Sequence, residues 1–150
     1  MTTVGSLDIL IFSVDGRKHA LPLSVVEKVE LAVEAIPFPE APSVVIGAVN
    51  WKGHIIAGVS MRRRLHLRER DVRATDYIII VHSTRRRIAL FVDELCDVST
   101  VQPSDYRKAE TLSDGLGCVA GATRCEDDIV LIHDLELFLS ESDEEALGEL

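Results

Sequence analysis

Nine short apolar runs, most of them rich in Val and Ile and each closed off by turn-forming or charged residues, limit what this chain can fold into. They occupy residues 7–14, 17–23, 45–50, 54–60, 77–82, 87–92, 96–101, 117–123 and 129–132. β-Branched side chains at this length fit a pleated, half-buried surface, so each run reads as a strand. Asp15-Gly16 stands between the first two runs, and that dipeptide marks a hairpin because Gly takes positive φ without steric cost. Segments 24–29, 41–44, 61–67 and 134–139 read as short helices or turns. None reaches the roughly ten residues or more that a parallel crossover helix needs. The fold class is therefore mainly β, with small closed or nearly closed sheets.

The two halves of the chain resemble each other. Arg17-Lys18-His19-Ala20-Leu21, followed by Val25, Val26 and Val29, aligns with Arg86-Arg87-Ile88-Ala89-Leu90, followed by Glu94, Leu95 and Val98, at an offset of 69. Gly47-Ala48, Ile55-Ile56 and Met61 align with Gly121-Ala122, Ile129-Val130 and Leu135 at an offset of 74. An ordinary change of loop length separates the two offsets, and two similar β units related by duplication follow. Between them, residues 68–76 alternate in charge with little apolar content and read as a solvated loop. Residues 140–150 are rich in acidic side chains and carry Leu147 and Leu150, and read as a frayed helix or a disordered end.

At 150 residues and 47% hydrophobic content the chain is long enough to bury a core without a staple. Its 27% of charged residues is an ordinary globular share. It has no apolar run of spanning length. Met1-Thr2-Thr3-Val4-Gly5 lacks both the basic and the apolar regions of a secretory signal. Three cysteines, an odd number, make no disulfide framework. The expected compartment is the cytoplasm. Net charge is −9, made of +2 over residues 1–75 and −11 over residues 76–150. An acidic chain with local basic knots suits protein partners better than a phosphate backbone.

The chemistry of catalysis is missing. Cys118 and Cys125 lie seven apart and Cys96 is remote, with no close pair of Cys or His ligands, so zinc is not expected. Cys118 and Cys125 read as small core or half-buried residues. There is no Gly-x-Ser-x-Gly elbow, and Gly115-x-Gly117 is followed by neither a helix pattern nor a Lys-Ser/Thr pair. His133-Asp134 reads as an ordinary polar strand end, and Glu126-Asp127-Asp128 as a hairpin turn. No enzyme, cofactor or metal is expected. Arg62-Arg63-Arg64, with Arg68, Arg70 and Arg73, and Arg85-Arg86-Arg87 leave a β-barrel module for nucleic acid or a small ligand as the alternative. Single-strand binders set aromatic platforms beside such charge, whereas Phe12, Phe91 and Phe138 sit in apolar runs. These arginines read better as solvated ends or as partners of the chain's own carboxylates.

Residues 36–56 hold Pro37, Pro39 and Pro42 and the only Trp. The prolines impose an extended, stiff connection. Asn50-Trp51-Lys52-Gly53 then makes a turn, at which Trp51 either stands exposed beside Lys52 as a contact hot spot or folds back to cap a barrel core.

With Pro39–Pro42, Ile46-Gly47, this turn, Ile55-Ile56 and Ser60-Met61-Arg62, the chain resembles the CheW family of chemotaxis coupling proteins. Phe12, Gly16, Ala20-Leu21-Pro22-Leu23, Val26 and Val29 resemble that family's opening. Ala89-Leu90-Phe91-Val92-Asp93 and Val98 resemble its Val-Asp strand, and Val119-x-Gly121 with Ile129-Val130-Leu131-Ile132-His133-Asp134-Leu135 its close. The likeness spans residues 8–139. It implies two intertwined five-stranded SH3-like β-barrels with short helices, as a single domain over residues 1–139 followed by an acidic tail over 140–150. It implies a non-catalytic adaptor between the cytoplasmic tip of chemoreceptors and the regulatory domain of a CheA-type histidine kinase, with no nucleic acid and no membrane insertion. Carried over by position, partner contacts fall on Val26, Lys28, Val29, Gly47, Trp51 and Lys52, with Val92 and Val98 as further candidates in a groove between the barrels. Four departures sit together: Lys52 stands for the family's Arg and lacks its planar fork, Trp51 for Leu, Ala57-Gly58 for Pro-Val, and Ser60 for Asp. They point to a divergent coupling protein of an alternative chemosensory pathway.

Overall fold

The computed structural model describes residues 5–108, 118–148 and 150. The N-terminal residues 1–4 and the Gly115-x-Gly117 motif, with the start of the strand expected from residue 117, lie outside the described residues. Among the described residues eleven strands form: β1 (Leu7–Val14), β2 (Arg17–Pro22), β3 (Val26–Leu31), β4 (Val45–Trp51), β5 (His54–Ser60), β6 (Tyr77–His82), β7 (Arg87–Val92), β8 (Glu94–Val101), β9 (Tyr106–Lys108), β10 (Val119–Cys125) and β11 (Asp128–His133). Two short helices accompany them, α1 (Met61–Arg64) and α2 (Glu141–Leu147). The strands make a six-stranded sheet in the order β8-β1-β2-β11-β10-β9 and a five-stranded sheet in the order β3-β6-β7-β5-β4.

Two strands differ from the sequence reading. Residues 24–29 fold as a 3-10 turn over Leu23–Val25 and then as β3, because their Val residues find β6 to pair with. β9, only three residues long, is the sixth strand of its sheet and carries too little pattern to be read from sequence.

Alternation divides the apolar residues among three cores. On β6, Ile78 and Ile80 face one interior, while Ile79 and Val81 face another. On β1, Ile9 and Ile11 turn inward in the six-stranded sheet, and Leu10, Phe12 and Val14 turn to the shared central core. Burial on both faces is why these strands read as continuous apolar runs rather than as alternating ones. The central core also takes Met61 of α1, Cys118, Leu135, Phe138 and Leu147.

Strand pairing bears the internal repeat out residue by residue. β2 runs parallel to β11 with His19 opposite Leu131, and β7 runs parallel to β5 with Ile88 opposite Ala57. Those two pairs exchange under the offsets 69 and 74. Likewise Leu10 pairs with Val98 in one sheet, and Ile79 with Val29 in the other. Each unit thus lends its opening hairpin to its twin: β1 and β2 of the first half lie in the sheet of β8–β11, and β6 and β7 of the second half lie in the sheet of β3–β5. This exchange makes the lobes intertwined rather than serial.

The C-terminal segment is docked, not frayed. Ser140 and Asp143 form a capping box at the start of α2. Leu147 is buried in the central core. Arg86 of the β6–β7 turn pairs with Glu144 and donates to the carbonyls of Gly148 and Leu150. No helix among the described residues is long and apolar enough to cross a membrane.

Candidate partner-binding surfaces

The β4–β5 turn is built by Lys52 and Gly53, both at positive φ (51° and 83°), and the Gly53 N–H donates to Asn50 Oδ1 at 3.1 Å. Trp51 lies just before it, half-buried against the interior of the five-stranded sheet. Lys52 Nζ sits 5.0 Å and Arg87 Cζ 5.2 Å from the ring centroid, distances at which a cation is drawn to the aromatic face. Arg87 is aimed by Glu27, whose carboxylate accepts from its Nε at 3.0 Å and also meets His82 Nδ1 at 3.2 Å. The indole Nε1 is buried without a partner. Trp51 therefore packs on a barrel interior, as the capping reading expects, and its half-buried ring carries two cations over its face.

Val26 and Val29 on β3 are half-buried against the central core, while Lys28 between them is exposed and meets Glu30 at 3.4 Å. The strand exchange sets Leu95 and Val98 of β8 as their counterparts. Leu95 packs on the same core, and Val98 is 52% exposed. β3 and β8 each stand at the edge of a sheet. Val92 behaves otherwise: at 2% exposure it is a core residue at the floor of a cleft rather than a contact on its surface. Gly47 is also buried, and a Cβ there would lie 2.6 Å from the Ile36 backbone, which pairs with Ala48. Close strand approach, rather than partner contact, demands that glycine.

The linker over 68–76 is pinned rather than loose. Arg70 makes a fork onto Asp76 at 2.8 Å through both terminal nitrogens and reaches Asp93 at 2.9 Å. Asp93 also accepts from Arg62 at 2.6 Å. Burial alone would raise the Asp76 carboxyl, but hydrogen bonds from Arg70 and the Arg73 backbone outweigh it and hold the group below its ordinary range. A cavity of about 680 Å³ opens beside this network, walled by Val33, Ala35, Ile46, Val72 and Arg63. The arginine knots are engaged by the chain's own carboxylates: Arg63 pairs with Glu69, Arg85 with Glu141 and Arg87 with Glu27 at the surface, and Arg86 with Glu144 in a buried pair. Such pairing leaves little of them for a phosphate backbone.

Sequence reasoning missed one buried polar chain. His19 Nδ1 and His133 Nε2 are 2.9 Å apart, and His133 Nδ1 is 3.1 Å from Cys118 Sγ. Phe12 stacks on His19 and Phe138 meets His133 edge-on. Burial pushes His19 down to about 4, and burial with the neighbouring His19 and Arg64 pushes His133 down to about 3. Burial also raises the Cys118 thiol. Sealed from solvent and held neutral, the chain is a structural element of the central core. His133 at the end of an apolar strand was its only sequence signal. Among the described residues no cluster of three or more His, Cys, Asp or Glu could hold a metal ion. Ser60, at the site of the family's Asp, caps α1 by accepting from the Arg63 N–H at 3.2 Å.

Three kinds of comparison place the chain. A family model described as the CheW-like domain matches residues 8–143. The chemotaxis protein CheW of Rhizobium meliloti is 26% identical over 105 residues, 70% of this chain and 68% of that protein. Its namesake in Bacillus subtilis is 27% identical over 100 residues, 67% of this chain and 64% of that protein. In fold, the chain is similar to the scaffolding protein TtCheW from Thermoanaerobacter tengcongensis, with a TM-score of 0.84 and 22% identity over 93% of this chain and 97% of the other. With its matched span covering nearly all of both lobes, the chain belongs to the CheW-like family of non-catalytic chemotaxis adaptors.

Proposed function

We propose that this chain acts by geometry alone, joining the regulatory domain of a CheA-type histidine kinase to the cytoplasmic tip of a chemoreceptor. The observation that carries the reading is the exposed apolar edge left by strand exchange. Val29 and Val98 occupy matching sites on the two edge strands, and a receptor helix lies against them. The kinase domain docks at the β4–β5 turn, where Trp51 and Lys52 offer an aromatic ring and a cation, with Val26 and Lys28 on either side of Glu27, whose carboxylate holds Arg87 over the same ring. Gly47 supports that turn through its strand, and Val92 supports the groove from beneath. Each contact is modest in area, and repetition across an array makes the sum firm. The protein works in the cytoplasm, recruited to receptors at the membrane, and the departures at Trp51 and Lys52 tune it to a kinase of a divergent chemosensory pathway.

Titration with a receptor-tip fragment and with a kinase regulatory domain from the same organism tests the assignment. Val98→Glu should weaken the receptor fragment roughly tenfold or more and leave kinase binding in place, with Lys52→Glu doing the reverse. Equal loss of both partners in both variants, or of neither, contradicts it.

A further inference from the structure

Because the two barrels are copies, what fills one shows what the other leaves open. Gly47 and Gly121 correspond at the offset of 74, and each is pressed by a neighbouring strand. A Cβ at Gly47 would lie 2.6 Å from the Ile36 carbonyl, and one at Gly121 would lie 2.5 Å from the Arg107 carbonyl. The pairings agree, Ile36 with Ala48 and Arg107 with Ala122. Ile36 therefore matches Arg107, and the residue before it, Ala35, matches Tyr106. In the second barrel the Tyr106 ring packs on the interior and lies over Gly121. Its hydroxyl donates to the carbonyl of Ala120 at 3.0 Å. Val101 closes the wall nearby, opposite Leu7; its match at the offset of 69 is Ala32, which donates to the Asp76 carbonyl.

The first barrel thus has two alanines where the second has a tyrosine and a valine. The cavity of about 680 Å³ opens there: Ala32, Ala35, Ile46 and Phe91 line it, and all four belong to the interior of that barrel. Its volume is that of a small-molecule site, and barrel mouths commonly hold one. Ile46 takes up part of the space, being larger than its match Ala120, but its backbone is placed alike. Both residues sit where the strand register slips, between Val45 and Gly47 and between Val119 and Gly121. A bulged residue stands off the hydrogen-bond ladder, which is what leaves the Ala120 carbonyl to Tyr106.

From this we infer that the mouth of the first barrel binds a small phenol, whose ring takes the place that Tyr106 fills in the twin and whose hydroxyl donates to the Ile46 carbonyl. Val33 and Val72 line the same cavity at 40% and 45% exposure, so the ring has an apolar way in from solvent. Arg63 and Arg73 also line it, and a cation is drawn to an aromatic face. The inference does not rest on the proposed partners: apart from Val92, none of their contact residues lines this cavity.

The probe is p-cresol, the tyrosine side chain as a free molecule. Added to the full chain, it should shift the amide signals of residues 32–35, 46–47 and 72–73 saturably, with a Kd of roughly 1 mM or tighter. 4-Methylanisole, which lacks the donor, should bind roughly tenfold more weakly. Ala35→Tyr installs the residue the twin carries, and should raise the thermal midpoint and abolish the cresol shifts. If that variant does not fold, Ala35→Leu carries the same test. Tyr106→Ala should open a second cresol site in the other barrel. No saturable shift in the wild type, shifts scattered over the surface, or cresol binding that survives in the folded Ala35 variant overturns the inference. N-acetyltyrosinamide binding roughly tenfold tighter than p-cresol would make the occupant a partner protein's tyrosine, and overturns it likewise.

Discussion

Acid should loosen this protein well before its carboxylates are protonated, because two imidazoles are locked neutral in its central core. An unfolded histidine titrates near 6.5, whereas His19 and His133 in the fold titrate at about 4 and about 3. Between these values the unfolded chain binds protons that the native chain cannot, so stability falls as pH drops below about 6.5 and flattens only below the folded values. At pH 5, about 1.5 pH units below the unfolded value, each group costs about 2 kcal/mol, or about 4 kcal/mol for the pair. That is a large share of the roughly 5–15 kcal/mol by which a domain is stable. Asp76, held below its ordinary range, gives up its share only in stronger acid. Urea unfolding at about pH 7.5 and pH 5 should show the loss. His19→Gln should remove about half of the pH dependence, and His19→Gln with His133→Gln nearly all of it. Equal wild-type stability at the two pH values, or the same loss in the double variant, would refute the reasoning.

The glycines at the strand crossings and the C-terminal clamp give further tests. Gly47→Ala would set a Cβ 2.6 Å from the Ile36 backbone, and Gly121→Ala one 2.5 Å from the Arg107 carbonyl and the Tyr106 ring. Each should lower stability by roughly 1–3 kcal/mol in urea unfolding, the usual cost of overpacking. Arg86→Ala should free α2 while the sheets persist, seen as faster amide exchange confined to residues 141–148. Uniformly faster exchange, or none, would show that the helix is held by other means.

Much of the fold was readable because strands buried on both faces leave a strong signal. Continuous Val and Ile runs such as Ile78-Ile79-Ile80-Val81 have few other uses. Asp15-Gly16 declared its hairpin, and the offsets of 69 and 74 foretold which strands correspond. The failures have local causes. Val26 and Val29 were spaced as on a helix, but an open edge on β6 took them as a strand. Charges at 68–76 looked solvated because their partner Asp93 lies far along the chain. The tail looked loose because its clamp, Arg86, sits in a turn more than fifty residues earlier. Val92 looked like a groove contact, whereas the strand's alternation sends it into the central core. Trp51 could not be decided from sequence, since two cations and a barrel interior compete for one ring.

Simultaneous binding is what an adaptor must do, and it can be measured in one sample. A kinase regulatory domain and a receptor-tip fragment from the same organism, mixed with the purified chain, should migrate with it as one ternary complex at high micromolar concentration. If each fragment displaces the other, or neither associates with the chain, the coupling account is wrong.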